Sequence, residues 1–397
     1  MNVLGRWGGC GCLLLLLGFP LSAEVWPHRL NFSETWVRSW GERRAEQILR
    51  AEDGHVWLWT PPESQRIRAL LLIANNTDLV KIGEHRQIRE AAARHDMAIL
   101  YLQHFSGRLL ESGPPSPEAE ATLAELFSLA EAASGKPGFQ DAAWVLLGKS
   151  SRGKFAFQPA WAFPDRVAAT IAYHGEPPSW PLPPWAQAAA ESSILHLNVQ
   201  GLTEWDGTWY RHVRPSLLNY NRFSDWRTHQ VVIYGVDHGY YADYFLFPNF
   251  GQEMPRDHRL IRVTDVWNYL AVFLDTSLTL RLPAPDAADR SLRAVDTEQG
   301  YLLHPRIVEE MLGSKWFAFR EDAGGRFQII PWPDERSPVY ETAQGTLPMA
   351  EWVRPAAAVP PEARGGYFWI ATRNQLQAWL RLHNAYRLAD RVLETLP

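Results

Sequence analysis

The stretch Trp144–Phe157, WVLLGKSSRGKFAF, decides the fold of this chain. Its apolar run Trp144–Leu147 is typical of a buried strand, and the segment from Gly153 onward is compatible with a helix. Gly148 and Ser150 lie between them, in the pattern of a sharp turn that lifts a serine hydroxyl out of a sheet. We therefore predict a strand that ends at this turn, with a reactive serine at its exit.

The serine of this turn has two possible registers. With Ser150 as the nucleophile, the strand runs directly into Gly148, which leaves room for the tight turn. With Ser151, the glycine at Gly153 has the expected spacing, but a lysine crowds the position before the serine. We favour Ser150 because the strand must end just before the turn, although Arg152 then replaces the second glycine of the G-x-S-x-G pattern.

The pattern around Ser150 resembles the nucleophile elbow of the α/β-hydrolase superfamily. The resemblance implies an α/β-hydrolase fold, a mainly parallel sheet with helices on both faces, over roughly residues 55–275. The periodicity agrees, because short apolar runs alternate with helical segments as in βαβ units. The predicted strands are His55–Thr60, Arg68–Ala74, Met97–Leu102, Trp144–Leu147, Val167–Tyr173, Ile194–Leu197 and Val231–Tyr234, and the predicted helices are Ile82–His95, Pro117–Ser134 and Val263–Leu274.

The residues after 275 differ in pattern and predict a C-terminal extension of short strands and a terminal helix. Alternating runs at Trp316–Arg320 and Arg326–Ile330 indicate strands, and Trp369–Leu396 carries apolar residues at roughly helical spacing. We expect a catalytic domain over residues 24–275 and an extension over 276–397. The extension is rich in tryptophan, and we expect it to lie beside the strand ends and shape substrate access.

Residues 1–23 are typical of a secretory signal peptide. Arg6 precedes the apolar run Cys12–Leu17, and small residues end the segment at Ala23. Both cysteines of the chain, Cys10 and Cys12, fall inside it, so we expect a mature protein without disulfides that is secreted or periplasmic. The apolar run is too short to span a membrane, and no later run reaches the required length.

The composition excludes several classes of function. A net charge of −5 over 397 residues, without a block of lysine and arginine, argues against nucleic-acid binding. The sequence contains neither an HExxH motif nor a cysteine cluster, and it lacks dinucleotide and Walker glycine patterns. We therefore expect no metal and no cofactor. The resemblance to α/β-hydrolases implies an ester of a small molecule or polysaccharide as the partner.

The resemblance implies a triad in the chain order serine, acid, histidine, each at the carboxyl end of a strand. Glu204 follows the predicted strand Ile194–Leu197 within a Gly-Leu-Thr-Glu segment and corresponds to the acid, with Asp206 as its rival. His238 is flanked by glycine after the predicted strand Val231–Tyr234 and resembles the superfamily's histidine loop. His238 is therefore the predicted base. Its competitors are His174, His196, His212 and His229. His196 lies within a predicted strand and is interpreted as a structural histidine, whereas His174 could line the pocket.

The same resemblance implies an oxyanion hole of two donors. One is the backbone N–H of the residue after the nucleophile, here Ser151. The other comes from the loop after an early strand, here Asn75 and Asn76, which could supply a backbone N–H or a side-chain amide.

Within the superfamily, the chain looks like secreted esterases: feruloyl and acetyl-xylan esterases and polyhydroxyalkanoate depolymerases. Glucuronoyl esterases carry Gly-x-Ser-Arg-x-Gly-Lys at the elbow. This chain keeps the spacing of the glycines, the serine and the lysine, at Gly148, Ser150, Gly153 and Lys154. The arginine is displaced by one residue, to Arg152. We therefore expect a serine esterase that acts on polysaccharide-linked esters. The alternatives are a non-catalytic carbohydrate-binding protein on a hydrolase fold, with Arg152 pinching the turn, and a serine peptidase of the same fold.

Overall fold

A computed structural model describes most of the chain between residues 56 and 382. The described residues are 28–30, 56–74, 80–102, 114, 116–150, 152–175, 182–186, 189, 192–201, 228–233, 263–304, 317–321, 327–331, 349–364, 367–382, 392–394 and 396. The strands are β1 His28–Leu30, β2 Val56–Trp59, β3 Ala69–Ala74, β4 Met97–Leu102, β5 Ala143–Ser150, β6 Val167–Gly175, β7 Leu195–Gly201, β8 Thr228–Ile233, β9 Tyr301–Leu303, β10 Phe317–Glu321, β11 Phe327–Pro331, β12 Val353–Pro355 and β13 Phe368–Ile370.

Between β3 and β6, helices separate consecutive strands in the described residues. They are α1 Val80–Glu84, α2 Arg86–Arg94, α3 Pro117–Ser134, α4 Gln158–Ala162, α5 Val263–Arg281, α6 Met349–Trp352 and α7 Arg373–Leu382. Short 3-10 helices lie at Gly153–Ala156, Pro184–Ala186, Ala356–Ala358 and Pro361–Ala363.

Among the described residues, eight strands form one sheet in the order β1-β2-β4-β3-β5-β6-β7-β8. The six strands from β3 to β8 are parallel to one another, whereas β1 and β2 are antiparallel to their neighbours. Every residue of β3, β4 and β6 is buried, as expected for strands that are covered on both faces. The predicted α/β-hydrolase fold with a mainly parallel sheet is confirmed.

Helices cover both faces of this sheet. The chain moves from β3 to β4 in one direction along the sheet and from β4 to β5 in the other, so right-handed crossovers put α2 and α3 on opposite faces. Helix α5 packs on α2. On the other face, Phe127 of α3 contacts Trp144 of β5, with 5.8 Å between the ring centroids.

Local signals set the ends of α3, which the sequence predicted residue for residue. The Ser116 hydroxyl accepts a hydrogen bond from the Ala119 N–H at 3.1 Å, and Pro117 occupies the first turn. Gly135 ends the helix with a φ of 67°, which glycine adopts without steric cost.

Two predicted helices differ from those observed. The segment predicted as one helix from Ile82 to His95 is divided at His85, whose extended backbone (φ −64°, ψ 128°) separates α1 from α2. Trp369 was predicted to begin a terminal helix, but it lies in β13, and the helix starts only at Arg373. The side chains of β13 are all buried, which favours a strand over the helical spacing of the apolar residues that follow.

The described part of the C-terminal extension shares one hydrophobic core with the main sheet. Helix α5 continues seven residues past the last residue predicted for it, through Arg281, and the boundary expected after residue 275 therefore falls inside it. A three-stranded sheet in the order β12-β9-β13 follows, and β13 lies beside the edge strand β8. Helix α7 packs on α5. Burial raises the pKa of the Tyr269 phenol on α5, although a side-chain hydrogen bond with Gln375 of α7 opposes the shift.

In the described residues, no helix combines the length and apolar character needed to span a membrane. The strands predicted at Trp316–Arg320 and Arg326–Ile330 are present as β10 and β11, which pair antiparallel from Phe317–Pro331 to Glu321–Phe327.

Candidate active site

Ser150 is the last residue of β5, and its backbone is unusual. Its φ is 57°, in the left-handed region that few residues other than glycine occupy. The N–H of Arg152 donates a hydrogen bond to the carbonyl oxygen of Lys149 at 2.8 Å, which closes a four-residue turn with Ser150 at its first central position. Turns with a positive φ at that position favour glycine, asparagine or aspartate. A serine there costs about 1–3 kcal/mol of strain, which marks the residue as a functional candidate.

Gly148 is required by the close approach of the chain after the turn. A Cβ at this position would overlap the carbonyl oxygen of Arg152 and press on Phe155. The strand therefore folds back on itself over five residues, and only glycine permits it. This requirement agrees with the sequence-based preference for the register in which Gly148 stands two residues before the serine.

Arg152 does not occupy the position where the turn needs a second glycine. Its φ is −92°, which any residue adopts, and its side chain is partly exposed. The close backbone approach lies one residue later, because a Cβ on Gly175 at the end of β6 would lie 2.7 Å from the Cα of Gly153. The glycine that the sequence displaces from 152 to 153 thus lies directly against Gly175, where the two backbones are in close contact.

The other predicted site residues lie outside the described residues. They are Ser151, Asn75, Asn76, Glu204, Asp206 and His238. In the sequence, Asn75 directly follows β3, Glu204 is three residues after β7 and His238 is five residues after β8. The carboxyl ends of parallel strands meet at one edge of a sheet. We therefore predict, as from the sequence, that these residues lie near Ser150.

Three buried polar side chains lie near the carboxyl ends of β6 and β7, and sequence reasoning missed two of them, Asn198 and Gln200. His174 has a φ of 47° and is 1% exposed. Asn198 and Gln200 of β7 are 0% and 2% exposed. The signal for the last two is their alternation with apolar residues in β7, LHLNVQG, which places polar groups on one face of a strand covered on both faces.

His196 of the same strand was interpreted as a structural histidine, and its surroundings agree. It is 2% exposed, and its Nδ1 lies 2.7 Å from the hydroxyl of Thr170 on β6. Thr170 pairs with Leu146 of β5, which is four residues before Ser150. The Thr170–His196 pair therefore lies farther from the carboxyl edge of the sheet than Ser150 does.

A partly buried histidine, His85, lies directly before α2. Burial lowers the pKa of His85, with a smaller opposing effect from Glu90, and the ring packs edge-on against Trp267 of α5 at 5.5 Å between centroids. His85 is therefore a packing residue between α2 and α5. The described residues contain no group of three or more histidine, cysteine, aspartate or glutamate side chains that could hold a metal ion.

No protein-family model matches the chain, and no curated protein matches it. Solved structures resemble it in part. A "predicted CIB-like hydrolase" from Thermoplasma acidophilum has a TM-score of 0.33 and 14% identity, over 57% of this chain and 94% of its own. Est1E from Butyrivibrio proteoclasticus has a TM-score of 0.34 and 11% identity, over 57% of this chain and 95% of its own. Carboxyl esterase 2 from Tuber melanosporum has a TM-score of 0.36 and 10% identity, over 57% and 84%.

Proposed function

We propose that this chain is an exported serine hydrolase that cleaves carboxylic esters, with Ser150 as its nucleophile. The observation that carries the proposal is the backbone at Ser150, a serine with a φ of 57° at the carboxyl end of a central parallel strand. The absence of a Cβ at Gly148 and Gly175 permits the close contacts that hold this turn. Strain of this kind persists where the surrounding structure enforces it, and it is concentrated at active sites.

In the proposed mechanism, the Ser150 Oγ attacks the carbonyl carbon of the ester. His238 Nε2 takes the hydroxyl proton and returns it to the leaving alcohol, while Glu204 holds the imidazole in the required tautomer. The Ser151 N–H and a donor from Asn75 or Asn76 stabilise the oxyanion. Water then attacks the acyl-enzyme with the same groups, releases the acid and restores the serine.

The sequence supports a carbohydrate-linked ester as the substrate. The chain has 19 tryptophans, and indole faces pack well on sugar rings and on aromatic acids. The alternative of a non-catalytic binding protein depends on Arg152 pinching the turn. That alternative receives no support from the backbone, because Arg152 has an ordinary φ and a partly exposed side chain.

Replacement of each candidate acid by its amide tests the proposed triad. Glu204→Gln should lower kcat for a p-nitrophenyl ester by about 10⁴-fold, because an amide stabilises the wrong histidine tautomer. The matched variant Asp206→Asn should keep kcat close to wild type, and both should unfold at the wild-type temperature. The opposite ranking would assign the acid to Asp206, and full activity in both variants would refute a carboxylate in this segment.

We also propose export with cleavage near Ala23, from the pattern of residues 1–23. Intact-mass analysis of protein recovered outside the cytoplasm should show a chain that begins close to Glu24 and contains no thiol, because Cys10 and Cys12 are removed. A recovered chain that still carries both cysteines would contradict this proposal.

A further inference from the structure

The end of β6 departs from regular pairing beside Ser150. The ladder between β6 and β7 ends at the pair Tyr173–Val199. On the other side, Lys149 pairs with Tyr173, but Ser150 pairs with Gly175, so His174 is the extra residue of a bulge. Its positive φ of 47° fits this position. Bulges of this kind bend a strand and occur next to active sites.

A side chain supplies the hydrogen bond that the ladder no longer provides. The Nε2 of Gln200 donates to the carbonyl oxygen of Gly175 at 2.7 Å. A second, longer contact of 3.4 Å joins Nε2 to the Oδ1 of Asn198. Gln200 is 2% exposed, so water does not compete for the amide. A buried carbonyl needs such a partner, because leaving it without one is costly.

Gly175 also lies against the turn that carries Ser150. A Cβ added to Gly175 would lie only 2.7 Å from the Gly153 Cα, so the two backbones are packed without room for a methyl group. Gly175 is thus held by Gln200 through its carbonyl and rests against the turn through its α-carbon. A shift of Gly175 would change the support of the turn, and with it the direction of the Ser150 hydroxyl.

We propose that Gln200 is a positioning residue for Ser150, acting through Gly175 and Gly153. The inference rests on the proposed function, because it concerns the rate at which Ser150 reacts. Gln200 does not touch the reacting atoms in this account. It fixes the end of β6, against which the Ser150 turn is packed, and rigid support of this kind is what a strained nucleophile requires.

The test compares Gln200→Met with Thr170→Val in the full-length mature protein. Each variant removes one polar partner of a buried hydrogen bond between β6 and β7. Both variants should therefore lower the unfolding temperature. The kinetic results should differ. With p-nitrophenyl acetate, well below the unfolding temperatures, Gln200→Met should lower kcat by about tenfold or more with KM nearly unchanged, since small displacements of reacting groups can cost up to 10²-fold. Thr170→Val should keep the wild-type kcat.

A second variant keeps the proposal testable if Gln200→Met does not fold. Gly175→Ala should push against Gly153 and lower kcat in the same way. Active-site titration with a fluorophosphonate separates misfolding from slow chemistry, because it counts competent Ser150. Wild-type kcat in folded Gln200→Met or in folded Gly175→Ala would overturn the positioning role while leaving the proposed function intact. No hydrolysis or labelling by the wild type would instead refute the proposed function.

Discussion

Ser150→Ala should reduce ester hydrolysis by about a millionfold, to the residual rate supplied by binding and the oxyanion donors, as for other serine nucleophiles. The physical reason is that the alanine methyl group cannot form the acyl-enzyme. The fold should be retained, because the change removes one partly exposed hydroxyl at the end of β5. Initial rates with a short p-nitrophenyl ester measure the loss, and circular dichroism checks the fold.

Ser151→Ala is the matched control for this experiment. It removes the neighbouring hydroxyl but keeps the backbone N–H that is proposed to stabilise the oxyanion, so kcat should stay near the wild-type value. Activity that survives in Ser150→Ala and is lost in Ser151→Ala would contradict the register proposed here. It would move the nucleophile one residue along the turn.

The second large effect concerns stability. Trp379→Ala should lower the free energy of unfolding by about 3–5 kcal/mol, the usual cost of emptying a buried tryptophan site. Trp379 lies on α7 and is 0% exposed within the same hydrophobic core as the main sheet. Urea denaturation followed by circular dichroism measures the change in the midpoint.

Trp352→Ala is the control, because Trp352 lies on α6 in the same region but is only partly buried against the core. It should cost clearly less than Trp379→Ala. If Trp379→Ala leaves the midpoint of the main transition unchanged, the extension folds independently of the sheet. A single transition that shifts to lower urea would show that α7 and the main sheet unfold together.

The sequence predicted seven of the eight described strands of the main sheet, all except β1, because their signal is local. Continuous apolar runs such as Leu70–Ile73 are typical of strands covered on both faces. The end signals of α3, with Ser116 before it and Gly135 after it, are equally local. The turn at Ser150 was predictable for the same reason, since glycine and serine at fixed spacing describe its geometry.

The bulge and the buried amides were not predictable, because they depend on the pairing of distant strands. His174 becomes an extra residue only when β5 and β6 are aligned, and Gln200 meets Gly175 only across the β6–β7 edge. The strand at Phe368–Ile370 depends in the same way on β9, its partner. Helical spacing of apolar residues could not reveal that pairing, since a short apolar run fits either a strand or a buried helix.

The most direct measurement is the labelling of the wild-type mature protein with a fluorophosphonate probe, followed by mass spectrometry of the modified peptide. Trypsin would cut after Lys149 and Arg152 and leave only three residues, so chymotryptic cleavage after Leu147 and Phe155 gives a better peptide, GKSSRGKF. Fragmentation of this peptide separates Ser150 from Ser151. We expect one label per chain, on Ser150. This label should be lost in Ser150→Ala but kept in Ser151→Ala. A label on Ser151, on a serine elsewhere, or on no residue of an active preparation would contradict it.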